Sequence, residues 1–517
     1  YSRKDPYLYS GPDVMSHFYD FLQNEVEEIE YILANKKEMK PLTQRERDDY
    51  NASKTCRTCH KTFGLKQADV KCRHHDHVSG EYIAPVCCAC NLQLKPVKKQ
   101  KKEKSKKWRK PKKEKREEFE GDFFIPVICH NMANYDSHII LKYLAKQFPA
   151  EEIQVIARNQ ERYISFSIGS LRFVDSLQFL NSSLSNLVSN MVRDSKERFI
   201  HTKRHYVDDE SVINLVTRKG VFPYEWFDDE CKMDVEELPP IEEFYSSLSD
   251  EGISETDYLH ARNVWSFFEM TKFREYHDLY LKTDVLLLAD VFENFRRISL
   301  EIYELDPLHY YTSPGLSWDA CLKKTEVELE LISDPDQMLF VEKGIRGGIS
   351  MISNRYAAAN NPYVPDFDPA KDRNYIVYLD CNNLYGFSMM ESLPTGGFEF
   401  LTDEEIATFN LRDCAPSDEK GYILEVDLEY PPELHDAHND YPLAPESFVA
   451  KKEMLSPYAN HLVEKFSVKS LEHPKLIPNF YAKKRYIVHY RNLQYLNSTE
   501  EMGLKLAKSL GRLPDPA

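Results

Sequence analysis

Residues 374–386 read NYIVYLDCNNLYG, and the acid in the middle of this stretch decides how the chain is to be read. Tyr375 to Leu379 form an unbroken apolar run of aromatic and β-branched residues, the composition of a short buried strand. Asp380 follows directly, and Asn382-Asn383-Leu384-Tyr385-Gly386 then turns the chain. A strand end is a rigid mount from which to aim a carboxylate, and in layered α/β folds ligands gather at the carboxyl ends of strands. The stretch therefore predicts a multi-domain α/β protein whose working acids stand at strand ends.

Two further acids fit that pattern. FFIPVIC, residues 123–129, predicts a short strand, and HNMANYD brings Asp136 just beyond it. SHIILKYLAKQF has helical spacing, IQVIARN and YISFSIGSLRFVDSL read as strands, and 270–298 predicts a long helix buried along VLLLADVFENF. In that helix Asp284 follows Tyr280 by four residues, so the two share a face. Phosphoryl transfer with two metal ions needs carboxylates from separate segments to converge, and these acids are candidates for it. Taken singly, each reads as a helix cap or a turn residue.

The chain has 517 residues, 42% of them apolar and 12% aromatic, enough for several domains with real cores. No apolar run approaches the ~20 residues of a membrane helix, and no signal peptide is seen, so the nucleus or the cytoplasm is expected. The net charge of −17 argues against nucleic acid only as an average, because KKQKKEKSKKWRKPKKEKR at 98–116 carries 13 Lys/Arg against two Glu, a local +11 that leaves −28 elsewhere. That run reads as a linker, a phosphate contact or a nuclear address. Six of the eleven cysteines fall within Cys56–Cys90. Cys56-x-x-Cys59 and Cys87-x-x-Cys90 have the pairing of a closed, structural, tetrahedral zinc site.

Order and company change the odds for the acids. HNMANYD resembles the second exonuclease motif of family B DNA polymerases, and Tyr280-Leu-Lys-Thr-Asp284 resembles the third. Asp380-Cys-Asn-Asn-Leu-Tyr385 resembles polymerase motif A, with Asn383 for the usual Ser and Gly386 for the usual Pro. Ser176-Leu177 with Leu180, Lys219 with Phe222, and Arg346-Gly347-Gly348 resemble elements of the protein-primed branch, found in small phages, adenoviruses and Polinton/Maverick-type transposons. The resemblance implies an RNase H-like 3′–5′ exonuclease domain and the start of a polymerase palm. It implies Asp380 as a ligand of catalytic Mg²⁺ or Mn²⁺, Tyr385 as the residue that excludes a ribose 2′-hydroxyl, and main-chain amides around Asn382–Leu384 as phosphate contacts. It implies Asp136 and Asp284 as exonuclease metal ligands, with Tyr280 positioning the attacking water. His130, Asn131, Tyr135, Ser176, Leu177, Lys219 and Phe222 would hold the frayed strand, and Arg346, Gly347 and Gly348 would contact DNA. The implied partners are primer-template and single-stranded DNA, deoxynucleoside triphosphates and a terminal protein primer.

The Cys/His segment resembles a recombination endonuclease VII (HNH-type) module, in which His75 would be the general base and Asn91 a ligand. His74 replaces that family's first acid, which argues for a structural zinc knuckle instead. The expected layout is a helical region at 1–50, the zinc module at 51–94, a basic linker at 95–122, the exonuclease domain at 123–300, the palm start at 301–400 and a palm or insertion region at 401–517. No Asp-x-Glu precedes His130, and no Asn-Ser-x-Tyr-Gly or Asp-Thr-Asp follows Asp380. The chain is therefore expected to be a central piece of a longer polymerase that binds DNA without extending a primer. The rival readings are an inactive DNA-binding transposon remnant and a zinc-supported HNH-type nuclease.

Overall fold

The computed structural model describes residues 4–94, 123–159, 161–206, 209–354, 356–468, 473–498 and 502–516, so the basic run at 98–116 lies outside the described residues. The chain forms two compact units, 1–324 and 325–517.

The first unit opens with helix α1 (Val14–Ala34) and α2 (Gln44–Ala52). The latter starts in a capping box, Thr43 and Glu46 each satisfying the other's backbone N–H. A hairpin of β1 (Lys71–His75) and β2 (Tyr82–Cys87) leads directly into the short helix α3 (Cys88–Gln93). The central sheet has four strands, β3 (Ile125–Cys129), β4 (Ile153–Ala157), β5 (Tyr163–Ile168) and β6 (Leu171–Asp175), in the order β3-β6-β5-β4. β4, β5 and β6 are antiparallel neighbours, whereas β3 runs parallel to β6 in a register that sets Cys129 opposite Asp175. Gly169, at φ +57°, makes the tight β5–β6 turn that a side chain would strain. That turn places Phe166 directly opposite Phe173, and the two buried rings stack with centroids 4.5 Å apart. Helix α4 (Asp136–Gln147) returns from β3, and Ile140 and Leu144 join Met15, Phe18, Tyr19 and Leu22 of α1 in the same core.

Helices α5 (Leu184–Asp194), α6 (Ile200–His205), α7 (Glu210–Val216) and α8 (Glu255–Phe267) precede the long α9 (Phe273–Tyr303), after which α10 (Ser313–Thr325) ends the unit. α9 buries Tyr280, Thr283, Leu287 and Val291 along one side, as the helical spacing requires. It also buries an acid: Asp290 is 1% exposed, and its carboxylate accepts the N–H groups of His201 (2.7 Å) and Thr202 (3.0 Å) and the Thr202 hydroxyl (2.7 Å). Three donors compensate a charge whose burial would otherwise be strongly unfavourable.

In the second unit, β7 (Lys420–Glu429) is flanked by β10 (Lys483–His489) and β11 (Lys505–Pro516), both antiparallel, and β8 (Glu446–Phe448) pairs with β9 (Lys475–Ile477). Leu424, Val426 and Leu428 alternate inward along β7 and pack with Tyr486, Val488 and Leu493. Helices α11 (Pro335–Gly344), α12 (Leu384–Met389), α13 (Asp403–Thr408), α14 (Pro457–Lys465) and α15 (Tyr490–Leu496) complete it.

One expectation fails here. Tyr375–Leu379 belongs to no strand among the described residues, and Tyr378 and Leu379 are 92% and 84% exposed. The composition of a strand does not supply hydrogen-bonding neighbours, and with no described strand beside it this run stays open to solvent.

Replacing Asp290 with Ala leaves three buried donors without an acceptor. It should destabilise the first unit by about 3 kcal/mol and lower its thermal midpoint by roughly 5–10 °C in a calorimetric scan. A midpoint within a degree of the parent would remove Asp290 from the account of this unit.

Candidate functional site

The HNMANYD loop leaves β3 beside the end of β6, and Asp175 governs its path. This acid is fully buried, and its carboxylate accepts the N–H groups of Asn131 (2.8 Å), Leu177 (3.0 Å) and Ala133 (3.1 Å). Held so, Asn131 adopts a left-handed φ of +63° that Asn tolerates better than most residues. Ser176, next along, donates its hydroxyl to the Cys129 carbonyl at 2.9 Å. The Ser176 oxygen also lies 2.9 Å from His130 Nδ1. A hydroxyl has one proton, so the imidazole must donate from Nδ1, and the ring also hydrogen-bonds the Ser182 main chain. Burial lowers the imidazole pKa, and Lys219 lowers it further, against the pull of Asp175 and Asp284. Ser176 is fully buried and both its bonds are internal, so it orients His130 and does not face a strand. Tyr135, by contrast, is 58% exposed. Asp136 starts α4 and is exposed; desolvation of its carboxyl and the nearby Asp175 charge hold its pKa above the ordinary range.

α9 supplies the second half. Lys219 Nζ lies 2.8 Å from Asp284 Oδ2, while Asp284 Oδ1 is buried with no hydrogen-bond partner among the described residues. The Tyr280 hydroxyl meets the Tyr224 hydroxyl at 2.6 Å, and the Phe222 ring packs 5.0 Å from the Tyr280 ring. A Cβ at Gly220 would come within 3.3 Å of the Tyr280 ring, so a residue without one lets Lys219 and Phe222 approach from either side. Burial pushes the Tyr280 phenol far up, and the Asp284 charge adds to it. The four residues that the sequence drew from two separate motifs thus form one cluster. Asp175 and Tyr224 escaped the sequence reading. Asp175 could have been suspected as an acid that ends a strand, but nothing in the local sequence marks Tyr224.

Asp380 is exposed and Tyr385 is 89% exposed. The turn after Asp380 explains the two departures from the motif A pattern as a single change. Asn383, at φ +52°, caps α12, its Oδ1 accepting the Gly386 N–H at 3.2 Å. A Cβ at Gly386 would stand 2.4 Å from the Asn383 amide nitrogen, and a proline would have no N–H to give. Arg346, expected at DNA, is drawn inward. Its guanidinium donates to the Ile487 carbonyl at 2.6 Å and the Gly344 carbonyl at 3.1 Å, and lies 3.8 Å from the centre of the Tyr486 ring. Gly347 and Gly348 beside it have open space around their α-carbons.

The four cysteines converge. Their sulfurs lie within 4.8 Å of one another and form the only group of three or more potential metal ligands among the described residues. Four thiolates on zinc at about 2.3 Å place sulfurs roughly 3.8 Å apart, and Cys59 Sγ and Cys87 Sγ are 3.8 Å apart. Burial pushes the Cys56 thiol up, but N–H groups of Cys59, Cys87 and Thr58 outweigh it and bring the pKa to about 6. His74 Nδ1 and Asn91 Oδ1 lie 3.3 Å apart, so the two hydrogen-bond each other across the strand–helix junction. His75 packs edge-on against His77.

A family model described as DNA polymerase type B, organellar and viral, matches residues 125–456. That span runs from β3 past α12 and excludes the cysteine module. No curated protein and no solved structure matches the chain.

Asp175→Ala should raise amide hydrogen exchange at Asn131, Ala133 and Leu177 by roughly tenfold or more, the rest of β6 changing less. Asp175→Asn keeps the oxygen for Asn131 and Leu177 but turns an amide toward Ala133, so its effect should centre on Ala133. Uniform exchange in both variants would separate Asp175 from the loop.

Proposed function

The chain belongs to the organellar and viral type B DNA polymerases, DNA-directed nucleotidyltransferases that act on DNA and deoxynucleoside triphosphates with divalent metal ions, and on that premise we propose a protein-primed enzyme with a 3′–5′ exonuclease site. The observation that carries the exonuclease reading is the buried, unpartnered Asp284 Oδ1 beside Lys219 and Tyr280. A buried carboxylate oxygen without a donor is costly unless something takes its place, and a divalent cation meets that need. Asp284 and Asp136 would hold Mg²⁺ or Mn²⁺, which supplies a Lewis acid and activates water for attack on a phosphodiester. The chain's own residues then have separable tasks. Lys219 neutralises the other Asp284 oxygen, Tyr280 offers a buried neutral hydroxyl to a water, and His130, fixed by Ser176, stands at the head of the loop that would meet the strand. Asn131 and Tyr135 stand on the loop braced by Asp175, where Tyr135 can stack on a base.

In the second unit, Asp380 and Tyr385 carry the polymerase reading, with the terminal protein and the triphosphate as partners. The capped turn at Asn383 supports it, because it fixes the chain just after Asp380. In an enzyme carrying this chain together with an Asp-Thr-Asp motif, Asp380→Asn should cut Mg²⁺-dependent primer extension by 10²–10³-fold or more, on the order of losing one charge stabiliser in a preorganised site, with oligonucleotide affinity nearly unchanged. Extension that survives the substitution ends the motif A assignment.

For the cysteine module the reading is one structural zinc ion held by Cys56, Cys59, Cys87 and Cys90. The sulfur spacing supports this, and the engagement of Asn91 by His74 speaks against an HNH-type nuclease. Four thiolates fill a tetrahedral site and leave no position for a substrate. Metal analysis of protein purified under reducing conditions should give one zinc per chain, and chelation should open residues 51–94 to protease. Protein without zinc would defeat the assignment.

A further inference from the structure

Residues 193–205, RDSKERFIHTKRH, hold five Lys/Arg against two acids in a chain of net charge −17. Internal pairing removes part of this. Arg198 pairs with Asp194, and Lys203 pairs with Glu197 at 2.8 Å. Arg193 and Arg204 are exposed and make no ion pair with any described residue, and exposed Lys196 bonds only the neutral Asn214 side chain. Three cations are therefore left facing water on an acidic protein.

The backbone on either side of Arg204 is fixed along α9 at two points. At one end, Asp290 grips His201 and Thr202 through the three hydrogen bonds described above. At the other, the Tyr206 hydroxyl meets the Thr283 hydroxyl at 3.0 Å, one residue before Asp284. The segment thus travels from Asp290 back to the turn of α9 that bears the candidate metal ligand, seven residues or roughly 10 Å of helix. That is about the axial length of three nucleotides of one strand. Asp5 lies 3.4 Å from His205, and Asp209 and Glu210 follow close behind in the chain, the Asp209 carboxylate accepting the Ser211 and Val212 N–H groups at the start of α7.

We propose that Arg193, Lys196 and Arg204 form a phosphate track that guides a single DNA strand along α6 toward Asp284. Exposed cations with no ion-pair partner among the described residues, on chain anchored beside a site for a 3′ terminus, would hold the backbone behind that terminus without reading its sequence. The destination of the track rests on the exonuclease reading of Asp284; the track itself rests on charge, exposure and the two anchors.

The test is the salt dependence of binding of a fluorescent oligothymidylate by the full chain between about 50 and 200 mM salt. Changing Arg193, Lys196 and Arg204 together to Gln should reduce the slope of log affinity against log salt by about 2, three contacts at ~0.7 each. The charge-preserving set R193K, K196R and R204K should keep the parent slope. All three positions are exposed, and circular dichroism checks that the fold is kept. An unchanged slope in the Gln variant, or a parent chain that fails to bind the oligonucleotide, would overturn the track. If the slope falls as expected while Asn131→Ala and Tyr135→Ala leave affinity unaltered, the track stands and its destination at Asp284 does not.

Discussion

The path of the chain after β3 in the first unit hangs on the Asp175 carboxylate. Parallel strands leave their following loops side by side without a hairpin to tie them, so the loop after β3 needs an external anchor. Asp175 supplies it with three N–H bonds at 2.8–3.1 Å, two to that loop and one to its own turn. The ordering of His130 follows from the same place, since Ser176 is the next residue and bridges the Cys129 carbonyl and the imidazole. One buried carboxylate therefore fixes both the loop and the turn that carries Ser176.

The same device recurs at Asp290, which organises α6 as Asp175 organises the HNMANYD loop. Buried acids of this kind are satisfied by backbone donors and have nothing left to offer a metal. Asp284 is the converse case, with one oxygen paired to Lys219 and the other buried without a donor. This difference is one of surroundings. Asp284 and Asp290 sit on one helix, six residues apart, and their carboxylates are satisfied to opposite degrees among the described residues.

In the second unit the contrast is between a finished core and an open segment. β7 is sandwiched between two strands and packs Leu424, Val426 and Leu428, and Arg346 docks onto β10 through the Ile487 carbonyl and the Tyr486 ring. Tyr375 to Leu379 and Tyr385 have no such partners and stand exposed. Asp380 is placed by its covalent neighbours and by the Asn383–Gly386 cap, and it belongs to no group of three or more potential metal ligands among the described residues.

The sequence by itself determined the helices and strands whose periodicity is strong, β3, α4 and α9 among them, because burial of one face leaves a pattern that survives without knowledge of the fold. It determined the cysteine cluster, since Cys-x-x-Cys pairs bring two sulfurs together through local geometry alone. It also determined the family, because HNMANYD, Tyr280 to Asp284 and Asp380 to Tyr385 stand in the right order. Only the tertiary structure decided which polar residues face inward. Asp175, Asp290, Ser176 and Arg346 are committed to internal bonds, Tyr224 joins Tyr280 across 56 residues of chain, and Asn383 is coupled to Gly386. A strand also needs neighbours, and the 375–379 run shows that its composition cannot supply them. Such relations depend on distance in space and on the count of donors around an oxygen, and neither quantity is written in the order of residues.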